Sequence, residues 1–186
     1  FAFVYLLYGM IPGTIVNVAL LLNFFFILGS LAAFQAVLTL PGIAGMILSL
    51  GMAVDANVLI NERIKEELVA GKTLRNAVQD GYKNAFSAIF DSNLTTIITA
   101  IVLVSFGTGP IKGFAVTLII GILSSFLTAV FLTRLVYEAQ FAKGRWQNLT
   151  FTTKASEKFL RTPSFKFLEN RKKAFMIAGA FVLVGV

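Results

Sequence analysis

Two aspartates, Asp55 and Asp91, lie inside long apolar stretches of the sequence. Each is seven residues from the polar end of its stretch, marked by Glu62 in one case and by Asn84 in the other. An ionised aspartate at the centre of a membrane helix costs about 2.5 to 3.5 kcal/mol, so neither side chain is expected to face lipid. Removal from water favours the protonated form of a carboxyl group, which therefore can take up and release a proton near neutral pH. The sequence predicts proton-relay chemistry.

Asp55 is the stronger candidate for a proton relay. Glu62 and Glu66 follow it by 7 and 11 residues, positions that return to nearly the same face of a helix. These two acids predict a polar track from Asp55 to the cytoplasm, and Asn57 is a supporting polar residue in the same stretch. Two other interpretations stay open: the acids mark a solvated helix end, and the aspartate forms hydrogen bonds that hold helices together.

The stretch around Asp91 has a polar side. At 100° per residue, one side of this predicted helix carries Asp91, Ser92, Thr95, Thr96 and Thr99, with Asn93 beyond its edge. Such a side is expected to face protein or a water-filled cavity. Hydroxyl groups also bond back to carbonyls of their own helix, so we favour a supporting role over a direct one for these side chains.

The composition predicts a membrane protein that handles protons with carboxylates. Of the 186 residues, 57% are apolar and 13% are charged, whereas soluble domains have about half and a quarter. The sequence has no cysteine and no histidine, which excludes disulfides, thiolate chemistry and imidazole metal sites. We expect no metal and no cofactor, with protons as the coupling ion. The net charge of +7 is not interpreted as nucleic-acid binding, because the basic residues alternate with apolar stretches.

The apolar stretches have the length of membrane spans, about 20 residues. Together they predict an all-α polytopic membrane protein, a helix bundle with four complete and two partial spans. The complete spans are residues 14–37, 42–61, 85–106 and 113–133, and the partial spans lie at residues 1–11 and 173–186. Tight turns are predicted at Pro41 and around Pro110.

Lysines and arginines predict the orientation in the membrane. Residues 62–84 contain 5 of the 16 and residues 134–173 contain 10. Cytoplasmic loops are enriched in these residues, so both segments are predicted to be cytoplasmic. The first of them is expected to form an amphipathic helical loop and the second an interfacial linker.

Three segments resemble one family. They are GMAVDANVLINERIKEE at residues 51–67, DSNLTT at 91–96 and GTGPIKGFA at 107–115. Together they resemble the membrane half of SecD, and FLENRKKAF at 167–175 is similar to the start of SecF. The resemblance is to the SecD/SecDF protein-export membrane proteins of the RND superfamily. It implies a SecD-like transmembrane domain at residues 1–138, a cytoplasmic basic linker at 139–172 and the start of the first SecF-like helix at 173–186.

The resemblance implies a function and partners. Family members are accessory proteins of the Sec translocon in the bacterial inner membrane, and they use the proton motive force to promote polypeptide export without being enzymes. Asp55 matches the intramembrane aspartate of the family's proton pathway. The implied partners are the SecYEG translocon, the SecF half of the same polypeptide, a YajC-like small membrane subunit and the lipid bilayer. A periplasmic domain expected before residue 1 would contact the translocating preprotein.

Three other functions are considered. An RND-type exporter of drugs or lipids would share the proton-handling aspartate, and the ligand of the periplasmic domain would distinguish it. An intramembrane aspartyl protease would use Asp55 and Asp91 as a dyad that shares one proton. A passive assembly scaffold would keep proton-dependent export after Asp55→Asn.

Overall fold

The computed structural model describes residues 2–35, 39–144, 146, 149, 151, 175 and 176. All regular secondary structure assigned among these residues is helical, and it forms the following elements. They are α1 (Ala2–Tyr8), α2 (Met10–Ala33), α3 (Leu40–Val69), α4 (Leu74–Phe106) and α5 (Gly109–Phe126), followed by a π-helical segment (Leu127–Leu132) and α6 (Thr133–Ala142). Four helical stretches of this part are long and apolar enough to cross a membrane: Met10–Ala33, Leu40–Val69, Leu74–Phe106 and Pro110–Ala142. The predicted all-α membrane fold is confirmed.

The chain divides into two compact units, Phe1–Thr153 and Lys154–Val186. All features discussed below belong to the first unit. In the second unit the structure describes only Phe175 and Met176, which are helical. The predicted linker at 139–172 and the predicted SecF-like start at 173–186 lie mostly outside the described residues and stay predictions.

Pro41 and Pro110, where tight turns were predicted, lie instead in the first turns of helices. Pro41 lies in the first turn of α3, where Thr39 caps the helix by accepting a hydrogen bond from the Gly42 amide at 3.2 Å. Pro110 lies likewise in the first turn of α5. A proline fits there because the first amides of a helix have no intrahelical partner. The predicted turn residues therefore belong to the helices that follow them.

Residues 62–84, here called the charged hairpin, extend two membrane helices. α3 continues to Val69 and α4 begins at Leu74, so the expected helical loop is present as the ends of both helices. Lys72 Nζ lies 2.6 Å from both Glu67 Oε2 and Asp80 Oδ2. The hydrogen bonds to Asp80 and Glu67 raise the pKa of the Lys72 ammonium group. These polar contacts join the two arms of the hairpin.

α3 and α5 pack closely because small residues meet at their interface. A Cβ atom at Gly45 would lie 2.7 Å from Thr117 Oγ1 and 2.9 Å from the Phe114 carbonyl oxygen. Gly121 of α5 packs directly against Ser49 of α3. Small residues allow such approach between membrane helices, where lipid supplies no hydrophobic drive for association. This interface fixes one face of α3 and leaves its opposite face for other contacts.

Aromatic side chains fill the bundle at the end that carries the charged hairpin. Tyr82 of α4 donates a hydrogen bond to Thr133 Oγ1 at 2.7 Å. The Tyr137 ring of α6 contacts the rings of Tyr82, Trp146 and Phe151 at centroid distances of 6.0 to 6.3 Å. Phe151 is buried in the same core. The chain after α6 therefore folds back onto the end of the bundle.

Candidate functional site

Asp55 lies in an open groove between α3 and α4. The groove has a volume of about 210 Å³. α3 contributes residues spaced three or four apart, which share one helix face. The lining residues are Met52, Asp55, Ala56, Leu59, Ile89, Ser92, Asn93 and Thr96. The fold thus brings Asp55 together with Asn93 and Thr96, two of the predicted supporting residues.

The packing of α3 determines where this carboxylate lies. Gly45, Ser49 and Ala53 are buried on the inner side of the helix, whereas Gly51 and Asp55 are exposed on its outer side. Asp55 therefore lies at the outer edge of the groove, which is open on one side within this chain. The predicted shelter of this side chain from lipid stays a prediction.

The α4 wall of the groove supplies oxygen atoms that can accept hydrogen bonds. Ser92 donates its hydroxyl proton to the Ile89 carbonyl at 3.0 Å, and Thr96 donates to the Ser92 carbonyl at 3.0 Å. Because these protons are used within the helix, the hydroxyl oxygens keep lone pairs for water or for a protonated carboxyl group. The Asn93 side chain adds an amide to the same wall. The α4 wall therefore offers polar atoms along the side of the groove opposite Asp55.

Three of the predicted supporting residues lie outside the groove. Asp91 and Thr95 are exposed on α4 and do not line the groove. Thr95 donates to the Ser92 carbonyl at 2.8 Å. Asn57 is buried and donates to the Ala53 carbonyl at 2.8 Å. Thr95 and Asn57 thus bond within their own helices, and the role of each of the three residues stays a prediction.

A protease dyad is not formed in the described part of the chain. Such a dyad needs two carboxyl groups that share one proton within hydrogen-bond reach. Asp55 and Asp91 form no hydrogen bond with each other among the described residues, and only Asp55 lines the groove. In the same part, no three acidic side chains cluster as metal ligands would. The expected absence of a cofactor stays a prediction.

The two acids predicted to continue the polar track are paired with other side chains. Glu62 Oε1 accepts hydrogen bonds from the Tyr8 hydroxyl at 2.7 Å and from Lys65 Nζ at 3.1 Å. Glu66 pairs with Arg63 at 2.6 Å. The spacing of Glu62 and Lys65 is a signal present in the sequence, whereas no sequence pattern connects Tyr8 with a residue 54 positions away.

The fold and the groove define a class of protein. Acidic side chains in membrane-spanning helices are rare because of their cost in lipid, and where they occur they commonly line ion or substrate pathways. Multi-pass helical bundles with such a site are typical of membrane transport proteins. Residues 1–140 match the family described as Protein export membrane protein SecD/SecF, C-terminal. The chain belongs to this family.

Curated relatives and solved structures agree with the family match. The chain is 62% identical over 126 residues to the protein translocase subunit SecD of Rhodothermus marinus, covering 68% of this chain and 20% of the relative. It is 58% identical over 132 residues to SecD of Calditerrivibrio nitroreducens, covering 71% of this chain and 26% of the relative. The crystal structure of SecDF from Thermus thermophilus, a translocon-associated membrane protein, matches 99% of this chain and 24% of its own chain, with a TM-score of 0.82 and 36% identity. The chain therefore spans about a fifth to a quarter of the length of these proteins.

Proposed function

We propose that this chain is the SecD-side membrane half of an accessory protein of the Sec translocon, in which Asp55 relays protons. The proton motive force then drives the export of polypeptides across the bacterial inner membrane. The observation that carries this proposal is the placement of Asp55 in the α3–α4 groove beside Asn93 and Thr96, in a chain of the SecD/SecF family. Asp91 serves in a supporting role.

The energy of one proton is sufficient for a modest helix movement. A proton that crosses 100 mV supplies about 2.3 kcal/mol. Neutralising Asp55 removes a charge from the groove, which changes the preferred contact between α3 and α4. A two-half transporter places its ion site where the halves meet, and the open side of the groove is the place for the second half. The SecF half is the proposed occupant.

The proposed placement in the membrane follows the basic residues. The charged hairpin and residues 134–173 lie on the cytoplasmic side, since these segments contain most of the lysines and arginines. The proposed partners are SecYEG, the SecF half, a YajC-like small subunit, the lipid bilayer and the preprotein. Family membership favours a polypeptide over a small molecule or lipid as the exported substrate. The protein acts without catalysing a covalent reaction.

The test is Asp55→Asn in vesicles that contain the protein, its SecF half and the SecYEG translocon. We expect the proton-dependent stimulation of preprotein export to be abolished, because the amide cannot take up and release a proton. Membrane insertion and thermal stability should be unchanged, since Asp55 is exposed within this chain. The quantity measured is export with and without an imposed proton gradient.

Asp91→Asn is the matched control. It makes the same chemical change on the neighbouring helix outside the groove and should reduce stimulation less, or reduce only protein levels. Full stimulation in Asp55→Asn would overturn the relay assignment. Equal loss in both variants at normal protein levels would overturn the ranking of the two aspartates.

A further inference from the structure

Tyr8, Glu62 and Lys65 form a polar cluster, here called the Tyr8 junction, that connects α1 to the helix that carries Asp55. Tyr8 is 0% exposed, and its hydroxyl donates to Glu62 Oε1 at 2.7 Å. Lys65 Nζ binds the same oxygen at 3.1 Å and lies 5.5 Å from the centroid of the Tyr8 ring. Hydrogen bonds to a charged group are among the stronger polar contacts in proteins. The Glu62 side chain is 40% exposed, and these two contacts anchor its carboxylate.

The Tyr8 junction lies where α1 ends and contacts α3. Tyr8 is the last residue of α1, because Gly9 adopts a φ of 80° and redirects the chain into α2. Val4 and Tyr8 pack in one cluster with Val16 of α2 and Ala53 of α3. A displacement of α1 along α3 must therefore break the hydrogen bond between Tyr8 and Glu62.

Glu62 is the first acid after Asp55 on α3. Seven residues separate the two, which is about 10 Å along the axis and nearly a whole number of turns. The Tyr8 hydroxyl also lies 3.4 Å from the Val58 carbonyl oxygen, and Val58 packs against the α1–α2 cluster. The groove with Asp55 is lined instead by residues of the α4 side of α3, such as Ala56 and Leu59. Tyr8 thus holds the Glu62 carboxylate on the α1 side of α3, away from the groove.

We propose that Tyr8 and Lys65 are positioning residues that keep Glu62 out of the proton pathway until α1 moves. This inference rests on the proposed function of Asp55. When α1 shifts and Tyr8 releases Glu62, the Glu62 carboxylate turns toward the groove. The Asp55 carboxyl then gives its proton to the Glu62 carboxylate through water, and Glu62 releases the proton to the cytoplasm. Proton flow is in this way tied to movement of α1.

Tyr8→Phe tests the junction because it removes the hydroxyl and keeps the buried ring. In vesicles that contain the protein and its SecF half, without preprotein, we expect proton uptake per folded protein to rise about tenfold. A hydrogen bond to a charged group shifts an equilibrium by at least about that factor. Tyr5→Phe is the matched control, because the Tyr5 hydroxyl bonds to Thr14 of α2 at 3.3 Å and not to α3. This control should leave uptake at the wild-type level.

Double variants identify the route of the uptake. Adding Glu62→Gln or Asp55→Asn to Tyr8→Phe should abolish the added uptake, because both carboxyl groups belong to the pathway. Added uptake that persists in either double variant overturns the proposal. A Tyr8→Phe protein with lower thermal stability and wild-type uptake also overturns it, because that result describes a purely structural contact.

The failure of this inference is distinguishable from failure of the proposed function. If Tyr8→Phe leaves uptake unchanged while Asp55→Asn abolishes export stimulation, the junction proposal is wrong and the relay stands. If Asp55→Asn leaves proton-dependent export intact, the relay itself is wrong.

Discussion

The two faces of α3 have opposite properties. On the inner face, Gly45 and Ser49 lie against α5 at distances that leave no room for a larger side chain. On the outer face, Gly51 has no atom of another element near its Cβ position, and Asp55 borders an open groove. One helix therefore combines a fixed interface with a free one.

The polar side chains on the two faces of α3 also differ in their hydrogen bonding. Ser49 is buried, and its hydroxyl donates to the Met46 carbonyl at 2.8 Å, so it needs no partner on another helix. Asp55 has no hydrogen-bond partner among the described residues. A self-satisfied hydroxyl stabilises close packing, whereas the Asp55 carboxylate has no such contact within the described part of the chain.

The largest effect on stability is expected from Gly45→Ala. The new Cβ would lie 2.9 Å from the Phe114 carbonyl oxygen, and the backbone cannot yield cheaply. We expect thermal unfolding in detergent to show a loss of about 1 to 3 kcal/mol, the usual cost of overpacking. Gly51→Ala is the matched control on the outer face and should gain about 0.5 to 1 kcal/mol from its higher helix propensity. Equal stability of the two variants would contradict the contrast between the faces.

A smaller, functional effect is expected from Thr96→Val. Thr96 lines the groove with Asp55, and loss of an oxygen that can accept a hydrogen bond from water or a protonated carboxyl group, worth about 1 kcal/mol, should lower proton-dependent export stimulation about fivefold. Thr95→Val is the same change one residue earlier, outside the groove. Both threonines donate to the Ser92 carbonyl, so their effects on the helix should match. An equal loss of export stimulation in Thr96→Val and Thr95→Val would show that a position in the groove is not what matters for function.

The smallest effect is expected from Lys72→Met in the charged hairpin. Because the pKa of Lys72 is raised above its ordinary value of 10.5, its pairing with Asp80 and Glu67 stabilises the folded protein below pH 10.5. This contribution is lost as the pH rises through the raised value. Thermal unfolding should therefore show a slightly less stable variant at neutral pH and no difference above the folded pKa. Lys83→Met changes an exposed lysine without an ion pair in the described region. Its thermal stability should match that of the wild type both at neutral pH and above the folded pKa of Lys72. A difference that persists at high pH would exclude the ion pairs as its cause.

The sequence predicted the presence of the membrane helices better than the residues at which they begin and end. Runs of about 20 apolar residues predict membrane helices because the bilayer sets the length. The predicted turn at Pro41 was wrong in detail, since Thr39 caps the helix and proline fits its first turn. Gly45 and Gly121 are small residues that allow close approach of helices, and the α3–α5 interface packs closely at both positions. Local signals are sufficient for the helices and their starts because these depend on neighbours in the chain.

The candidate site was predictable only in part. The cost of an acid in lipid identified Asp55 and Asp91 equally well, because both occupy the same depth in the sequence pattern. Only the packing of α4 on α3 turns Asn93 and Thr96 toward Asp55 and leaves Asp91 and Thr95 outside the groove. The helical period alone could not decide this, since it fixes which residues share a face but not which face meets a neighbour.

Hydrophobic length, the positions of the two acids and the distribution of basic residues are properties of the sequence by itself, and they determined the membrane class of this protein. The tertiary structure decided that Glu62 binds Tyr8 and that Asp55 shares a groove with α4. These contacts join residues far apart in the chain. Their geometry depends on how α1 and α4 pack against α3, which the pattern within any single helix does not specify.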